Sequence, residues 1–183
     1  MIRLSIAALF SPLLAALSAQ PGRPSEPVRL LSAGIDLQVL DGEHEAILTF
    51  LAVRRWFGWS SGRLLVADIG GGSLEVAIGA DEHPELAIST PLGAGRLTRD
   101  FFTSEIPSEN EIKAIRSHVR KTLETEFSHL RASEFDHAVA TSKTFRQLAR
   151  LGGAAPSSDG QRAQRELTLQ SLGTWVPKIA GMN

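Results

Sequence analysis

Apolar residues recur at helical spacing in the second half of the chain, between Ser108 and Leu130. The positions that repeat every three or four residues are Ile112, Ile115, Val119, Leu123, Phe127 and Leu130. This spacing places them on one face of an α-helix. Ser108 and Glu111 have the spacing of a capping box, which marks the start of a helix. The pattern therefore predicts an amphipathic helix from about Ser108 to Leu130 whose role is packing.

A different pattern occupies residues 63–79, where "RLLVADIGGGSLEVAIG" joins two apolar runs through three glycines. The first run is almost continuously apolar, as in a strand covered on both faces. The second run alternates with period two, which favours a strand over the helix that follows the glycine turn of a dinucleotide site or a P-loop. The segment predicts a strand, glycine turn, strand hairpin. "ELAISTPL" supplies a third strand candidate, which ends at "GAG" before a short helical segment from Arg96 to Phe102.

Strands and helices alternate along the rest of the chain. "IDLQVL", residues 35–40, alternates as a half-buried strand does, and "EHEAILTFLAVRRWF" predicts a helix that begins at Asp41 or Gly42. "HAVATSKTFRQLARLGG" predicts a strand, a polar turn and a helix closed by Gly152 and Gly153, and "ELTLQSLGTWVPKIAGMN" predicts a final helix. Three prolines in residues 20–29 indicate a linker before these elements. The order of elements predicts an α/β fold.

Composition and charge limit the classes of partner. The 183 residues suit one domain, and 43% of them are hydrophobic, which is enough for a core. Nineteen Lys and Arg residues against 20 Asp and Glu residues give a net charge of −1 without a basic run. We therefore expect neither nucleic acid nor a membrane surface as a partner, and a polyanion would bind only at a local site. The absence of cysteine excludes disulfides and thiolate metal sites.

The first 32 residues differ in character from the rest of the chain. An apolar stretch from Leu4 to Leu17 precedes small residues, which loosely resembles a secretory signal peptide. The stretch is too short, and too interrupted at Pro12, for a transmembrane span. A buried helix of a larger fold, or an opening segment foreign to the domain, would give the same pattern. We therefore divide the chain into residues 1–32 and a domain at residues 33–183.

The glycine turn carries the clearest candidate chemistry. It consists of Gly70, Gly71 and Gly72. A tight glycine turn brings backbone N–H groups together with no side chain to block approach, and such a concavity binds anions, phosphate above all. Asp68 ends the preceding strand, which suits Mg²⁺ held by a carboxylate, water and phosphate oxygens. Ser73 adds a hydroxyl, and Glu75 lies on the same side of the strand as Ser73. The alternative is a loose hairpin with solvated acids, for which one glycine would suffice.

Two further clusters of polar residues lie where strands meet helices. The first consists of Glu43, His44 and Glu45, and the second of Thr141, Ser142 and Thr144. Such junctions present catalytic groups in α/β proteins, but acidic residues also stabilise a first helical turn through the helix dipole. Hydroxyls and free N–H groups at a helix N-terminus suit a phosphate, but they are equally ordinary capping residues. The pattern alone leaves both roles open at both junctions.

Four ordered blocks of the chain resemble one known family. The blocks are "LQVLDGEHEAILTFLAVRRWFGW", "LLVADIGGGSLEVAIG", "STPLGAGRLTRDFF" and "AVATSKTFRQLARLGGAAP". Together they resemble the exopolyphosphatase and guanosine pentaphosphate phosphohydrolase family, Ppx/GppA, in its actinobacterial form. The resemblance runs from about Ala33 to the end of the chain. Four blocks in order are far more specific than a single glycine motif.

The resemblance implies a fold and an activity. Family members belong to the actin-like ATPase superfamily of sugar kinases, actin and heat-shock chaperones, in which two ribonuclease-H-like lobes clamp a phosphorylated substrate. They hydrolyse the terminal phosphoanhydride bond of inorganic polyphosphate, or the 5′-γ-phosphate of pppGpp, with a divalent metal. This chain would therefore be an α/β, ribonuclease-H-like lobe that takes polyphosphate or pppGpp with Mg²⁺ in the cytoplasm.

The resemblance also assigns roles to individual residues. Glu45 falls on the acid that would orient and activate the attacking water, and Asp68 on the acid that would hold Mg²⁺. Glu75 falls on a further acid of the cleft. The other positions that would bind phosphate are Gly70, Gly71, Gly72, Ser73, Thr141, Ser142 and Thr144. Such a set suits phosphoryl transfer, which needs positioning and charge neutralisation more than covalent chemistry.

The chain departs from the family pattern at several points. Nothing in residues 1–32 resembles the strand and phosphate loop that open the family's first lobe, and the second lobe would extend beyond Asn183. His44 replaces the first acid of the family's pair, and Ile47 replaces an Arg that would meet a polyanion. The alternative to an active hydrolase is therefore a truncated, inactive phosphate-binding lobe. Such a lobe would work as a homodimer or with a partner that supplies the missing half.

Overall fold

Four strands form one mixed sheet. The computed structural model describes residues 40–180, without the side chains of residues 131, 132 and 180. The strands are β1 (Leu64–Ile69), β2 (Leu74–Gly79), β3 (Leu86–Thr90) and β4 (His137–Thr141). β2 pairs antiparallel with β1 and β3, and β4 pairs parallel with β1, which gives the order β3-β2-β1-β4. The predicted strand, glycine turn, strand hairpin and the α/β class are confirmed.

Five helices accompany the sheet in the described part of the chain. They are α1 (Gly42–Phe57), α2 (Ala94–Phe101), α3 (Glu109–Glu126), α4 (Ser142–Leu151) and α5 (Leu169–Ala180). The predicted capping box is present, because the Glu111 N–H donates to the Ser108 hydroxyl while the Ser108 N–H donates to the Glu111 carboxylate.

Two predicted helix boundaries were wrong. α3 ends at Glu126 rather than Leu130, because the chain tightens into a 3₁₀ turn at Ser128–Ala132 while Leu130 still points into the core. α2 begins at Ala94, two residues before the predicted start at Arg96. At α3 the apolar pattern continues through a change of local geometry, so periodicity alone does not mark the boundary. At α2 the N-cap residue, Gly93, makes no side-chain cap that would mark the start.

Different helices cover the two faces of the sheet. On one face, Phe50 and Val53 of α1 pack against Leu64, Val66 and Ala77. The helical residues buried against the other face are Leu97, Ile115, Val119, Leu123, Phe145, Leu148, Leu172 and Val176. Because side chains alternate along a strand, every second residue of β1 and β2 faces α1. This alternation decides which polar residues can meet beneath that helix.

A buried arginine fixes the C-terminal half of α1 to the sheet. Arg54 is fully buried, and its guanidinium donates to the Ser61 hydroxyl at 3.0 Å, to the Gly62 carbonyl at 2.8 Å and to the Gly79 carbonyl at 3.0 Å. Gly79 pairs with the first residue of β1, so this anchor lies at the amino end of that strand. The N-terminus of α1 is thereby held over the opposite, carboxyl end.

Two sequence-based expectations lie mainly outside the described residues. The strand predicted for residues 35–40 and the proposed boundary between residues 32 and 33 precede α1, and of these residues the structure describes Leu40, which has no regular structure. None of the helices in residues 40–180 combines the length and apolar character needed to cross a bilayer.

Candidate functional site

Four polar side chains form a row across the sheet. The strand register places Asp68 of β1 beside Thr141 of β4 and opposite Glu75 of β2, and it places Glu75 opposite Ser89 of β3. Each lies two residues from an apolar residue that packs against α1, so all four face that helix. We call this set the polar row. It lies at the carboxyl end of β1 and β4, the edge where α/β sheets bind ligands.

The Asp68 carboxylate is oriented by a hydroxyl from the neighbouring strand. Thr141 Oγ1 donates to Asp68 Oδ2 at 2.5 Å and lies 3.4 Å from the Ala67 carbonyl oxygen. The hydroxyl makes no hydrogen bond to the backbone of α4, although Thr141 is the N-cap residue of that helix. Helix capping, the ordinary role that the sequence left open for Thr141, is therefore not the role of its side chain.

Glu75 is a buried carboxyl held by hydroxyls. It is 3% exposed, and Ser89 Oγ donates to its Oε1 at 2.9 Å. Burial raises the pKa of Glu75 above the ordinary value, hydrogen bonds from Ser73 and Ser89 oppose that rise, and the charges of Glu45 and Asp68 add to it. The Ser73 hydroxyl is thus directed at Glu75. The three predicted acids are close enough to influence one another.

The first turn of α1 carries Glu45 to the polar row. Asp41 caps this helix, since its Oδ1 accepts the His44 N–H at 2.9 Å, and the exposed Glu45 follows in the same turn. A Cβ added at Gly42 would overlap the side chain of Ser89, so the helix can begin this close to β3 only with glycine there. His44, which stands where the resemblance expects an acid, hydrogen-bonds to Asp41 through Nδ1 at 2.8 Å.

The carbonyl groups of the glycine turn all bond to the start of α2. The Ala94 N–H donates to the Gly70 carbonyl at 3.0 Å, and the Arg96 N–H donates to the Gly71 carbonyl at 2.9 Å. Arg96 Nε donates to the Gly72 carbonyl at 2.9 Å. Three successive carbonyl groups therefore point towards one helix terminus.

The N–H groups of the turn point the other way. No cis peptide bond occurs in the described chain, and a trans peptide holds its C=O and N–H in opposite directions. The N–H groups of Gly71, Gly72 and Ser73 consequently face away from α2, and within residues 40–180 none of them has a hydrogen-bond partner. This geometry is compatible with the anion-binding concavity that the glycines predict, and phosphate binding at the turn stays a prediction.

Neither backbone conformation nor packing explains glycine at positions 71 and 72. Both residues lie outside the left-handed region of φ, and a Cβ added at either would meet no atom of the described residues within 4 Å. The space beside them is therefore open. A loose hairpin, the alternative that the sequence left open, gives no reason to keep this space free of side chains, whereas close approach of a ligand does.

Ser142 stands in a strained conformation at the end of β4. Its φ is +81°, which is rare for a residue other than glycine, and its Oγ is buried without a hydrogen-bond partner in the described chain. Strain of this kind costs about 1–3 kcal/mol and is typical of functional sites. Thr144 is half-buried in the same first turn of α4, and no hydrogen bond joins it to Asp68 or Glu75.

Two residues of this arrangement were missed by the sequence-based interpretation. Ser89 and Arg96 both lie in quoted segments, but neither was assigned a role there. Alternation places Ser89 on the same face as Ala87, yet its position opposite Glu75 depends on the β2–β3 register. The contact from Arg96 to Gly72 joins residues 24 positions apart, and no local pattern indicates it.

The protein donors available to a metal ion are few. Residues 40–180 contain no group of three or more His, Cys, Asp and Glu side chains placed to hold a metal ion. Asp68 and Glu75 line a narrow cleft under α1 together with Ala46, Thr49, Val66 and Ala77. One or two carboxylates beside a turn with outward N–H groups would suit Mg²⁺, which is commonly held by that number of carboxylates together with waters and substrate phosphates.

The chain is similar to known proteins over most of its length. A family model described as the Ppx/GppA phosphatase family matches residues 31–183. The chain is 53% identical to exopolyphosphatase 1 of Mycobacterium tuberculosis over 150 residues, which are 81% of this chain and 44% of that protein. It is 44% identical over 173 residues to an uncharacterized protein of Streptomyces coelicolor, a match that covers 92% of this chain and 51% of that one.

A solved structure shares the fold. The Aquifex aeolicus PPX-GPPA enzyme superposes with a TM-score of 0.64 at 29% sequence identity, over 81% of this chain and 48% of that enzyme. The chain thus spans about half the length of the relatives that it matches. The likeness identifies the sheet and its helices as part of an actin-like ATPase fold. The extent of the family match and the identity to its members show that the chain belongs to the Ppx/GppA phosphatase family.

Proposed function

We propose that this site binds the end of an inorganic polyphosphate chain and hydrolyses its terminal phosphoanhydride bond with the help of Mg²⁺. One observation carries the proposal: the glycine turn, beside the Asp68 and Glu75 carboxylates, presents three N–H groups that have no hydrogen-bond partner among residues 40–180. Phosphoryl transfer to water requires an anion cradle, charge neutralisation and an oriented water, and little covalent chemistry from the protein.

The cradle accounts for substrate binding. The N–H groups of Gly71, Gly72 and Ser73 would donate to oxygens of the terminal phosphate, which can approach because no side chain in the described part of the chain fills that space. Donors that are already in place need no reorganisation when negative charge develops on the phosphoryl group, so they stabilise the transition state. In the proposal, Ser142 and Thr144 line the opposite side, at the start of α4.

Asp68 would hold Mg²⁺. Its Oδ2 accepts the Thr141 hydroxyl, and within the described chain its Oδ1 accepts no hydrogen bond. The cleft beneath α1 has no room for a water molecule, so ligands would bind at its mouth rather than inside it. Bound Mg²⁺ would supply charge neutralisation for the phosphate oxygens. Thr141 then acts on the metal through Asp68 rather than on the phosphate, which revises the role that the resemblance gave it.

Glu45 would orient and deprotonate the attacking water. It lies in the first turn of α1, exposed to solvent, and its charge acts on Glu75 at the polar row. Glu75 is buried and held by hydroxyls, so it is poorly placed to reach water and better suited to keep the adjacent groups in position. In the proposal, the exposed Glu45 therefore transfers the proton, and the buried Glu75 keeps the neighbouring groups in position.

The choice of substrate rests on the relatives. The Mycobacterium tuberculosis relative is named an exopolyphosphatase, which supports polyphosphate. Hydrolysis of the 5′-γ-phosphate of pppGpp uses the same bond chemistry, and nothing in the described residues distinguishes a nucleotide tail. Both compounds are intracellular, so the proposal places the chain in the cytoplasm.

A second candidate is a phosphate-binding lobe without turnover. It is favoured by one observation: His44 stands where the resemblance expects an acid, and its Nδ1 hydrogen-bonds to Asp41 at 2.8 Å. In this candidate the glycine turn binds phosphate, and the loss of the acid at position 44 leaves turnover slow. Such a lobe would act as a homodimer or with a partner lobe.

Phosphate release distinguishes the two candidates. The assay measures inorganic phosphate from long-chain polyphosphate and, in parallel, from pppGpp, with Mg²⁺ or with a chelator. We expect Mg²⁺-dependent release that Glu45→Gln abolishes and that Glu43→Gln, a change at a neighbouring exposed acid, leaves intact. No release from either substrate, together with retained binding, would support the silent lobe. Release that Glu45→Gln does not alter would contradict the proposed base.

A further inference from the structure

The start of α2 is packed against the back of the glycine turn. Gly93 is buried, and a Cβ added there would overlap the backbone of Gly72 and Ser73. A Cβ at Gly95 would lie 3.1 Å from the Gly71 carbonyl oxygen. Two small residues therefore let the helix terminus approach the turn closely enough for three hydrogen bonds. The segment "LGAGR" acts as the back wall of the concavity.

We propose that Arg96 is a positioning residue for the phosphate-binding turn. Each of the three hydrogen bonds from α2 fixes one peptide plane, and each plane carries one outward N–H group. The backbone N–H groups of Ala94 and Arg96 fix the Gly70–Gly71 and Gly71–Gly72 peptide groups, respectively. Arg96 Nε fixes the last plane, whose N–H belongs to Ser73. Of these three contacts, this one is made by a side chain.

The chemistry of arginine suits this task. Its Nε–H is part of a rigid planar group, so a bond from Nε to the Gly72 carbonyl restrains the direction of that carbonyl. Lysine has the same charge but donates from a flexible stem without a planar fork. Arg96 is exposed, so its positive charge also lies beside a site that otherwise carries carboxylates. If Arg96 acts by positioning the turn, replacing it with lysine should weaken phosphate binding. If it acts only through its charge, the same replacement should leave binding unchanged.

The role of Arg96 rests on the proposed function, because a fixed set of N–H donors matters only if an anion binds them. Without the bond from Nε, the Gly72–Ser73 peptide can rotate, and the Ser73 N–H no longer points reliably into the concavity. Binding then costs the free energy of ordering that peptide each time. We expect the loss to appear in the affinity for phosphate chains rather than in the folding of the sheet.

The experiment compares three variants with the unaltered chain. Arg96→Lys keeps the charge and removes the planar guanidinium group, and Arg96→Met removes both. The control is Arg99→Met, which removes the charge of an arginine one helical turn further along α2. The Arg99 side chain donates to Asp100. Titration calorimetry measures the dissociation constant for tripolyphosphate with Mg²⁺. Amide ¹⁵N relaxation measures the order of the Gly72 and Ser73 N–H groups in the absence of ligand.

A positioning role predicts that both Arg96 variants bind tripolyphosphate about tenfold more weakly and that Arg99→Met stays within about twofold. It also predicts that the order parameter at Ser73 falls from about 0.85 towards about 0.6 in Arg96→Met. Arg96→Lys binding like the unaltered chain, or equal losses in Arg96→Met and Arg99→Met, would reduce the role of Arg96 to charge. An unchanged Ser73 order parameter would overturn the proposal.

Failure of the proposed function would have a different signature. If the unaltered chain binds no tripolyphosphate, the phosphate site is wrong, and the relaxation measurement still decides whether Arg96 orders the turn. If the unaltered chain binds and the variants bind equally well, the phosphate site stands and the role of Arg96 is refuted. Urea unfolding of each variant separates both outcomes from a loss of fold.

Discussion

Asp68 and Glu75 lie directly opposite each other on β1 and β2, on the face of the sheet that α1 covers. Each is held by a hydroxyl from the strand on its other side, Thr141 for Asp68 and Ser89 for Glu75. Two neighbouring carboxylates oppose each other's ionisation unless a cation compensates. In the proposed site a divalent cation at Asp68 would relieve this repulsion, and the hydroxyls set the direction of the carboxylate that would hold it.

Replacing Thr141 by Val tests the orientation of Asp68. The change keeps the branched shape and removes the hydroxyl that donates to Oδ2. Loss of a group that orients a metal ligand weakens affinity by about tenfold or more. We expect that loss for Mn²⁺, used as a Mg²⁺ substitute and followed by electron paramagnetic resonance in the presence of tripolyphosphate. Thr122→Val removes an exposed hydroxyl on α3 and serves as the control. Equal Mn²⁺ affinity in all three proteins would contradict the role of Thr141 in orienting Asp68 as a metal ligand.

Replacing Gly72 by Ala separates stability from binding. A Cβ at this position has open space and a permitted backbone conformation, so the variant should be more stable by about 0.4–1 kcal/mol, because alanine restricts the unfolded chain. The added methyl group would occupy the space proposed for phosphate and weaken tripolyphosphate binding.

The matched control for that change is Gly173→Ala. Gly173 is exposed on α5 and also has open space around it, so the substitution should raise stability and leave binding unchanged. Urea unfolding and calorimetry measure the two quantities. If Gly72→Ala binds tripolyphosphate as tightly as the unaltered chain, the turn is an ordinary hairpin.

The hairpin and its turn could be predicted from the sequence, because they depend on neighbouring residues. The apolar run before Asp68 and the period-two run after Ser73 specify two strands, and three glycines between them specify an open turn. The start of α3 was predictable for the same reason, since a capping box spans Ser108 to Glu111. Each of these signals lies within a few residues of the structure that it determines.

The contacts that complete the site could not be predicted in this way. The bond between Ser89 and Glu75 depends on the register of β3, and the bond between Arg96 and Gly72 depends on how closely α2 approaches the turn. The start of α2 was missed because Gly93 makes no side-chain cap that a sequence would display. Tertiary packing decides such features, and local patterns carry little information about them.

The pH dependence of stability should reveal the buried carboxyl. The pKa of Glu75 is raised by burial above the ordinary glutamate value of 4.5, so the folded state binds this proton more tightly than the unfolded state. The resulting stabilisation is full below pH 4.5 and is lost as the pH rises through the raised pKa. In Glu75→Gln this loss should disappear, so the free energy of unfolding of the variant, compared with that of the unaltered chain, should be more favourable at neutral pH than at low pH. Urea unfolding at several pH values in chelator measures the difference. An identical pH profile in the variant would contradict the burial of an ionisable group there.

The capping box of α3 makes a prediction of the opposite sign. Hydrogen bonds from Ser108 and Thr103 lower the pKa of Glu111 to about 2. The contribution of the Glu111 carboxylate to folding stability is therefore present at neutral pH and is lost as the pH falls below about 4.5 towards 2. Ser108→Ala should lower the free energy of unfolding by about 1 kcal/mol at pH 7 and by less at low pH. Thermal unfolding at both pH values checks this, and a loss independent of pH would argue against the reciprocal cap.

The most direct test of the phosphate site is a nuclear magnetic resonance titration of the ¹⁵N-labelled chain with tripolyphosphate in Mg²⁺. We expect saturable shifts centred on the amides of Gly71, Gly72 and Ser73, and their loss in Asp68→Asn or in chelator. Saturable shifts centred elsewhere on the chain, or no saturable shift in the glycine turn, would contradict the proposed phosphate site.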